Sequence, residues 1–432
     1  MRAPGVQAGA LLIVAALLGG GGVGFGLMNL AVQLLALSLL AVNGAAMRAF
    51  WQEGPRALVW LAGFSIALPL LQSVPLPPAL WQALPGRDLV TESFALAGLE
   101  ERWFTWSVNP WRTMGAALAL IPPLAMLVLV MQCDARERRA LIMMLVWLAL
   151  ASLLAGAVQV LSENRHGNLY PGASGPILFG FFANRNSAGL FLAIALPATL
   201  FAARERHWLT GPARFVIAAL IVLGVLLTQS RSALLLAGVV GLAWLTHRPW
   251  RTLSLTRAQT LLGAVLGSAL LLGAGALALQ NDRLGATVER FGQTRFNRPE
   301  IWEDGLFAAR RYWPVGSGMG TFDEVFQVDE SLEYLMPARA GRAHNDYLEI
   351  AIEAGLPGIA LALAWLVWLG RAGWQLRKSG SRTASAATVG LVLIALQSSI
   401  DYPMRNQAIL CIAALLAALT ALEKAHDLGE HK

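Results

Sequence analysis

The chain has 432 residues, of which 56% are hydrophobic and 14% are charged, and its mean hydropathy is +0.56. Soluble domains carry about 25% charged residues, so this composition excludes an ordinary soluble protein and indicates an integral membrane protein. The net charge is +7. A positive net charge can indicate a nucleic-acid partner, but in a membrane chain the placement of Lys and Arg around the spans matters more than their sum. We therefore expect no nucleic-acid partner. Cys133 and Cys411 lie at or inside apolar runs and predict no disulfide framework.

Apolar runs of about 16 to 25 residues occur about twelve times, and each can cross roughly 30 Å of hydrocarbon. We therefore predict an all-α integral membrane fold with about 12 transmembrane helices. The predicted spans are 6–24, 27–47, 56–73, 113–132, 139–161, 186–203, 213–229, 232–247, 259–280, 347–371, 384–400 and 405–423. The first resembles a signal peptide, but because so many spans follow it we expect an uncleaved helix.

The apolar stretch 213–247 is interrupted only by 228-TQSRSA-233. A single helix over this stretch would be about 52 Å long, far more than the hydrocarbon core requires. We therefore predict two short helices joined at Ser230 and Arg231. A single span would reverse the predicted side of every later loop, whereas two helices preserve the excess of Lys and Arg on the inner side. With both termini cytoplasmic, the predicted inner segments hold more than half of the Lys and Arg and every lysine.

Two segments on the predicted outer side are long. Residues 74–112 are rich in Pro and Trp, which is typical of an interfacial segment with aromatic anchors. Residues 281–346 form one large polar loop. We therefore divide the chain into transmembrane helices 1–9 (residues 1–280, with the outer segment 74–112), the loop 281–346, and transmembrane helices 10–12 (residues 347–432).

Within the loop, 297-NRPEIWEDGLFAARRYWP-314 has the signals of a short helix. Pro299 suits the first helical position, acidic residues fill the first turn, and Pro314 ends the helix. The helix carries an apolar stripe and is predicted to lie across the outer mouth of the bundle; the stripe consists of Trp302, Leu306, Ala309 and Trp313. No strand precedes the glycine-rich 316-GSGMG-320, so we expect a flexible turn there and no nucleotide site.

Arginines beside predicted membrane ends are the first functional signal. Arg185 lies in 181-FFANRNSAG-189 and Arg231 lies between the two short helices. A charge at the bilayer centre costs about 2.5–3.5 kcal/mol, so such arginines commonly have a partner or a function, although both could simply snorkel to the interface. Eight arginines and no lysine lie in the outer loop. Guanidinium groups bind phosphate bidentately, which favours an anion site, while a general arginine bias of the chain is the competing explanation.

His344 is the second signal and the only histidine in the loop. Imidazole can take up a proton near neutral pH, which suits a general base. The simpler alternative is that Asn345 or Asp346 caps the next helix and His344 is incidental. Glu349 and Glu353 could line a polar cavity or bind loop arginines. Asp-x-Asp, His-Glu-x-x-His and Cys-rich patterns are missing from the sequence, so we expect neither a metal nor another cofactor.

Four stretches, in this order, resemble the O-antigen ligase family of membrane glycosyltransferases, which also includes polysaccharide polymerases. They are 179-FGFFANRNSAGLF-191, 228-TQSRSALLLAG-238, 298-RPEIWEDGLFAARRYWPVGSGMGTF-322 and 342-RAHNDYLEIAIEAGLPG-358. The resemblance implies a metal-independent, inverting enzyme of the bacterial inner membrane with its active site facing the periplasm, so that 281–346 would be a periplasmic catalytic loop. The donor would be a glycan on undecaprenyl diphosphate, and the acceptor a hydroxyl of lipid A core or of another glycan.

The resemblance also implies roles for individual residues. His344 would be the general base, and Arg185, Arg231 and Arg298 would hold the diphosphate. The residues expected to support the site are Asn184, Asn186, Arg342, Asn345 and Asp346. The lipid bilayer is the remaining expected partner.

The sequence leaves three functions open. The first is ligation of O-antigen to lipid A core. The second is polymerisation of O-antigen or exopolysaccharide units from the same donor, with protein O-glycosylation as a variant. The third, a transporter, would predict two similar halves, and the single large polar loop in the second half argues against that symmetry.

Overall fold

The computed structural model describes residues 3–22, 24–172, 174–202, 211–246, 298–333, 340–379 and 381–429. Across these residues the fold is all-helical, as the composition predicts, apart from one pair of short strands. β1 (Pro75–Leu76) pairs antiparallel with β2 (Phe104–Thr105) inside the outer segment. The predicted span 259–280 lies outside the described residues.

The helices of the described chain before residue 203 are α1 (Pro4–Leu18), α2 (Gly26–Val42), α3 (Gly44–Glu53), α4 (Arg56–Gln72), α5 (Pro78–Trp81), α6 (Asp88–Leu96), α7 (Pro110–Leu118), α8 (Ile121–Met131), α9 (Ala135–Leu161) and α10 (Arg185–Leu200). Those after residue 210 are α11 (Gly211–Leu227), α12 (Arg231–Thr246), α13 (Arg298–Arg311), α14 (Phe322–Asp329), α15 (Asp346–Ser379), α16 (Arg382–Ser398) and α17 (Gln407–Gly429). Short 3₁₀ turns, Gly19–Gly21 and Pro403–Arg405, follow α1 and precede α17.

Several of these helices are suited to a membrane. Those of the described residues that are long and apolar enough to cross one are Pro4–Gly21, Pro110–Met131, Ala135–Leu161 and Asp346–Leu376. The pair α2 and α3, bent by 82°, adds a fifth if it counts as one span. Others, such as α4 and α16, have 17 residues, fewer than the about 20 that the hydrocarbon core requires without mismatch. The chain is a multi-pass membrane protein, and the count of twelve spans remains a prediction.

The stretch 213–247 forms two helices, which confirms the prediction. α11 ends at Leu227 and α12 begins at Arg231. Gly189 of α10 permits close packing against this junction, because a Cβ at Gly189 would lie 2.5 Å from the Cβ of Ala233. The starts of α10 and α12 are therefore close neighbours.

α10 is almost completely buried in the described bundle. Every residue from Ser187 to Thr199 is buried, and α10 packs against α9, α11, α12 and α16. α17 packs against α1, α8 and α16. Leu11 and Leu12 of α1 are fully buried in the same core. The first helix is therefore an integral part of the bundle.

The described part of the outer loop has its own small hydrophobic core. α13 covers Arg298–Arg311, within the predicted 297–314. The predicted apolar stripe is only half buried: Ala309 and Trp302 pack in or against the small core, whereas Leu306 is 53% exposed and Trp313 is 46% exposed. The residues that α13 buries are Ile301, Asp304, Gly305, Ala308 and Ala309. This face is selected by packing against α14 and α15, which the local sequence period does not contain.

α15 is interrupted at Gly355, where the backbone has φ 55° and ψ −141°. Residues 346–354 form a first helical half that carries three acidic side chains, and residues 356–379 form a second, largely apolar half. The carbonyl of Pro314 accepts a hydrogen bond from Leu356 N (2.8 Å) and would lie 2.2 Å from a Cβ placed at Gly355. The predicted span 347–371 is therefore divided between a short helix with acidic side chains and a longer apolar one.

The glycine-rich stretch 316–320 is a turn, as predicted, but one with many contacts rather than a loose one. Ser317 N and Gly318 N donate to the carbonyls of Ile352 (2.9 Å) and Glu353 (2.8 Å). These bonds satisfy carbonyls at the end of the 346–354 half, which have no partner further along their own helix. The three glycines of the stretch have positive φ, which glycine adopts at little cost.

Arg87 links this turn to the outer segment 74–112. It is 1% exposed, and its guanidinium donates to the carbonyls of Trp106 and Gly316, the latter at 2.9 Å. The guanidinium carbon lies 5.4 Å from the centre of the Tyr312 ring. Burial lowers the pKa of Arg87 to about 10, so the side chain is still charged at neutral pH. Arg87 thereby fastens two outer segments together.

Candidate functional site

His344 lies immediately before the 346–354 half of α15, which we call the site helix. Its φ is 51°, a left-handed conformation that is uncommon outside glycine and persists where surrounding contacts hold it. The Oδ1 of Asn345 accepts from Tyr347 N and Leu348 N, both at 3.1 Å, and caps the helix as predicted. His344 is nevertheless not incidental, because its side chain makes contacts of its own.

The imidazole of His344 is held by a carboxylate. Its Nδ1 lies 3.0 Å from Oδ1 of Asp401, whose side chain is 4% exposed. An ionised carboxylate only accepts, so Nδ1 carries the proton in this pair and Nε2 remains as the acceptor. Gln397 donates to the other carboxylate oxygen at 3.4 Å. The arrangement fixes the ring and leaves Nε2 able to take a proton.

Tyr402 connects His344 to the first arginine motif. The rings of Tyr402 and His344 pack edge to face with centroids 5.0 Å apart. Asn184 Nδ2 donates to the Tyr402 hydroxyl at 3.0 Å, while Asn184 Oδ1 accepts from Asn186 N at 2.7 Å and caps α10. Burial raises the pKa of the Tyr402 phenol, which therefore stays neutral. Asn184 thus ties the residues around Arg185 to the histidine.

Arg185 and Arg231 each begin a helix, and the two starts are joined. Ser230 Oγ donates to Asn186 Oδ1 at 2.9 Å, and both arginines are exposed. A helix N-terminus carries partial positive charge and free N–H groups, which favour a bound anion. Two guanidinium groups beside two helix N-termini make this region suitable for a phosphate or diphosphate.

A cavity of about 410 Å³ opens beside Arg185. Its walls include Gly20–Gly22, Asn184, Arg185, Tyr402 and Arg405. The carbonyl of Gly20 accepts from Ala183 N (3.1 Å) and from Asn406 Nδ2 (2.9 Å). The turn after α1 therefore binds both segments whose arginines, Arg185 and Arg405, line the cavity.

Three buried carboxylates lie on one face of the site helix, at Asp346, Glu349 and Glu353. Arg405 contacts all three, at 3.6, 3.1 and 2.8 Å respectively. Glu349 also binds Arg342 at 3.1 Å. Both glutamates are therefore partners of arginines, one of which comes from the loop and the other from the turn before α17.

Asp346 also anchors the start of the site helix to the segment after α16. Its Oδ2 accepts from Ser398 Oγ (2.9 Å) and Met404 N (3.0 Å). Its backbone N donates to the carbonyl of Asp401 at 3.2 Å. Asp401, which binds the His344 ring through its side chain, thus also binds the start of the site helix through its carbonyl.

The structure arranges the predicted site residues in two linked groups. Around the start of the site helix lie Arg342, His344, Asn345 and Asp346; around the starts of α10 and α12 lie Asn184, Arg185, Asn186 and Arg231. Arg298, at the start of α13, joins neither group through a described contact. Trp302, one turn further along α13, donates to the carbonyl of Ala343 at 2.8 Å.

Sequence reasoning missed Asp401, Tyr402 and Arg405. All three lie in 401-DYPMRN-406, a short polar turn between two apolar runs. An acid and a base within so short a turn at a membrane end are a signal that could have been used. Among the residues that the structure describes, no group of three or more His, Cys, Asp or Glu side chains is placed to hold a metal ion.

A family model described as O-antigen ligase matches residues 216–363. The match covers about a third of the chain, and over this segment the chain is similar to O-antigen ligases. Proteins of this family are membrane glycosyltransferases of the ligase or polymerase type, and the similarity suggests the same class of enzyme here. No curated protein matches the chain. The matched ligase segment contains Arg231 and His344, whereas Arg185, Asp401 and Arg405 lie outside it.

Proposed function

We propose that this chain is a member of the O-antigen ligase family and transfers a glycan from undecaprenyl diphosphate to an acceptor hydroxyl on the periplasmic side of the bacterial inner membrane. Ligation of O-antigen to lipid A core is the proposed reaction. The observation that carries the proposal is the His344–Asp401 pair, linked through Tyr402 to a cavity that Arg185 borders. Such a site offers a base on one side and fixed positive charge on the other.

The acceptor half of the reaction falls to His344. Its Nε2 takes the proton of the acceptor hydroxyl while the oxygen attacks the anomeric carbon of the glycan. The bond from that carbon to the diphosphate oxygen breaks, its electrons leave with the diphosphate, and attack from the opposite face inverts the carbon. Asp401 stabilises the imidazolium that forms, and the proton can pass to water because the His344 side chain is 28% exposed.

The donor half falls to the arginines. Diphosphate is a good leaving group and requires no general acid, unlike the leaving group in glycoside hydrolysis. Arg185 and Arg231, with Arg298 as a third candidate, would bind the diphosphate and stabilise its developing charge, each worth about 10²–10³ in rate. Neither half of this mechanism requires a metal ion, so we expect transfer to continue in excess chelator.

The experiment that tests the proposal uses a strain from which this chain has been deleted. Glycans on undecaprenyl diphosphate and the lipid A core are extracted and compared with those of the parent strain. Long polymer on the carrier lipid with bare core is the expected result. Single repeat units on the carrier would instead make the missing step polymerisation, and unchanged glycolipids would contradict both reactions.

Complementation connects that result to the site. The wild-type chain should restore the parent glycolipids, and His344→Ala should not. His166→Ala is the control, because His166 is an exposed histidine that lies outside the site. Equal failure of both variants would separate the phenotype from the proposed base.

A further inference from the structure

The turn 401–406 has a role beyond contributing Asp401. It contacts the loop and the site helix at the imidazole through Tyr402, at Asp346 through Met404 N, and at all three carboxylates through Arg405. Arg405 is thus the one described residue whose side chain contacts Asp346, Glu349 and Glu353 together.

Glu349 connects Arg405 to the backbone beside His344. Its Oε2 is shared by Arg405 and Arg342, both at 3.1 Å, and its Oε1 accepts from Ala343 N at 3.0 Å. Ala343 immediately precedes the histidine, and its carbonyl accepts from Trp302. The left-handed backbone at His344 is therefore supported by a glutamate whose own charge Arg405 helps to balance.

Charge balance makes the arrangement depend on Arg405. Removing one partner of a buried ion pair leaves an uncompensated buried charge, which is strongly destabilising. Without Arg405, the described partners of Asp346 and Glu353 are hydrogen-bond donors of no net charge, namely Ser398 Oγ, Met404 N and Phe322 N. The carboxylates would then repel one another and turn towards water, moving the site helix.

We propose that Arg405 is a positioning residue for His344, acting through the three carboxylates of the site helix. The inference rests on the proposed role of His344 as the base. It adds a residue outside the segment that matches the family model, with a role other than binding the donor.

Steady-state transfer by the purified full-length protein tests the proposal in Arg405→Gln. Misplacing a catalytic group by about 1 Å can cost about 10²-fold. We expect kcat to fall by about that factor while KM for the undecaprenyl-diphosphate donor stays within about twofold, because an interaction that acts on the transition state lowers kcat without weakening ground-state binding. Increased donor KM with unchanged kcat would overturn the proposal and make Arg405 a donor-binding residue. Unchanged kcat and KM would also overturn it.

A second variant covers the case in which Arg405→Gln does not fold. In Arg405→Gln/Glu353→Gln one unbalanced carboxylate is removed, while the glutamine oxygen can still accept from Phe322 N.

Arg311→Gln is the matched control, because Arg311 also pairs with a buried carboxylate, Asp329 at 2.7 Å, away from the site. We expect the control to lower stability and to keep kcat per folded molecule. An equal loss of kcat in the control would overturn the positioning role.

A chemical readout separates the positioning role from the proposed function. Diethyl pyrocarbonate modifies accessible histidines, and the rate at His344 is followed by peptide mass spectrometry. We expect Arg405→Gln to change this rate and Arg311→Gln to leave it unchanged. If the wild type transfers no glycan but the rate still responds to Arg405, the proposed function fails and the positioning role stands. An unchanged rate overturns the positioning role.

Discussion

The hydrogen bond between His344 and Asp401 determines which imidazole nitrogen carries the proton. In Asp401→Asn the side-chain amide can donate to Nδ1, which would move the proton to Nε2 and abolish the base. General base catalysis contributes about 10²–10⁴ in rate, and we expect Asp401→Asn and His344→Ala to lose a factor in that range. Initial transfer rates and thermal melting of the purified variants measure this.

Asp134→Asn is the control for that substitution. Asp134 caps α9 far from the site, and asparagine caps helices as well as aspartate does. Wild-type rates in His344→Ala would refute the base assignment.

Arg231 permits a test of how the anion is bound. Lysine supplies a point charge without the planar fork that binds two phosphate oxygens. We expect Arg231→Ala to lose about 10²–10³ in rate and Arg231→Lys to remain similarly impaired. The exposed Arg136, on the opposite predicted side, should tolerate lysine. Full recovery with lysine would show that charge alone suffices at position 231.

At this scale the sequence reveals half of the proposed catalytic pair. His344 is recognisable because it is the only loop histidine and precedes a capping asparagine. Asp401 is 57 residues further along the chain, and no local pattern indicates which carboxylate will face the ring. The sequence does not indicate Arg405 for the same reason, because its three carboxylate partners come close to it only when α15 packs beside the turn before α17.

Among the helices, the break in α15 provides the clearest test. A side chain at Gly355 would adopt a strained positive φ and meet the carbonyl of Pro314. Such a backbone conformation costs of order 1–3 kcal/mol before the steric clash is added. We expect Gly355→Ala to lower the melting temperature and to reduce transfer, because both halves of α15 must shift.

Gly370→Ala is the matched control in the same helix. A Cβ there meets nothing within 4 Å, and alanine favours helix over glycine by about 1 kcal/mol. Equal stability of the two variants would contradict the argument for Gly355.

Helix positions follow closely from the sequence, whereas helix faces and breaks do not. The junction at 228–230 is predictable because polar residues interrupt an apolar run longer than a bilayer requires. The break at Gly355 has no polar interruption beside it in the sequence and depends on Pro314, which approaches from the loop. The face of α13 likewise depends on α14 and α15, and periodicity alone identifies only part of it.

For the whole molecule, the orientation in the membrane is open to a direct labelling test. Leu332 in the outer loop is 86% exposed, and both native cysteines are buried. We expect Leu332→Cys to react with a membrane-impermeant maleimide added to the periplasmic side of intact cells. Arg136→Cys, on the predicted cytoplasmic side, should react only after permeabilisation. The reverse pattern would invert the topology.

The contacts of Arg405 also imply an order of assembly during synthesis. The ribosome makes Asp346, Glu349 and Glu353 before the arginine that balances them, and the residues of α16 are made in between. A chain inserted only as far as α15 therefore contains buried acids with an incomplete set of counter-charges. The wall of the cavity is also incomplete at that point, since Gly20 still lacks the Asn406 side chain. The site is thus completed only by a segment synthesised after α16, and chains arrested before residue 401 should be recognisable to the proteases that remove unassembled membrane proteins.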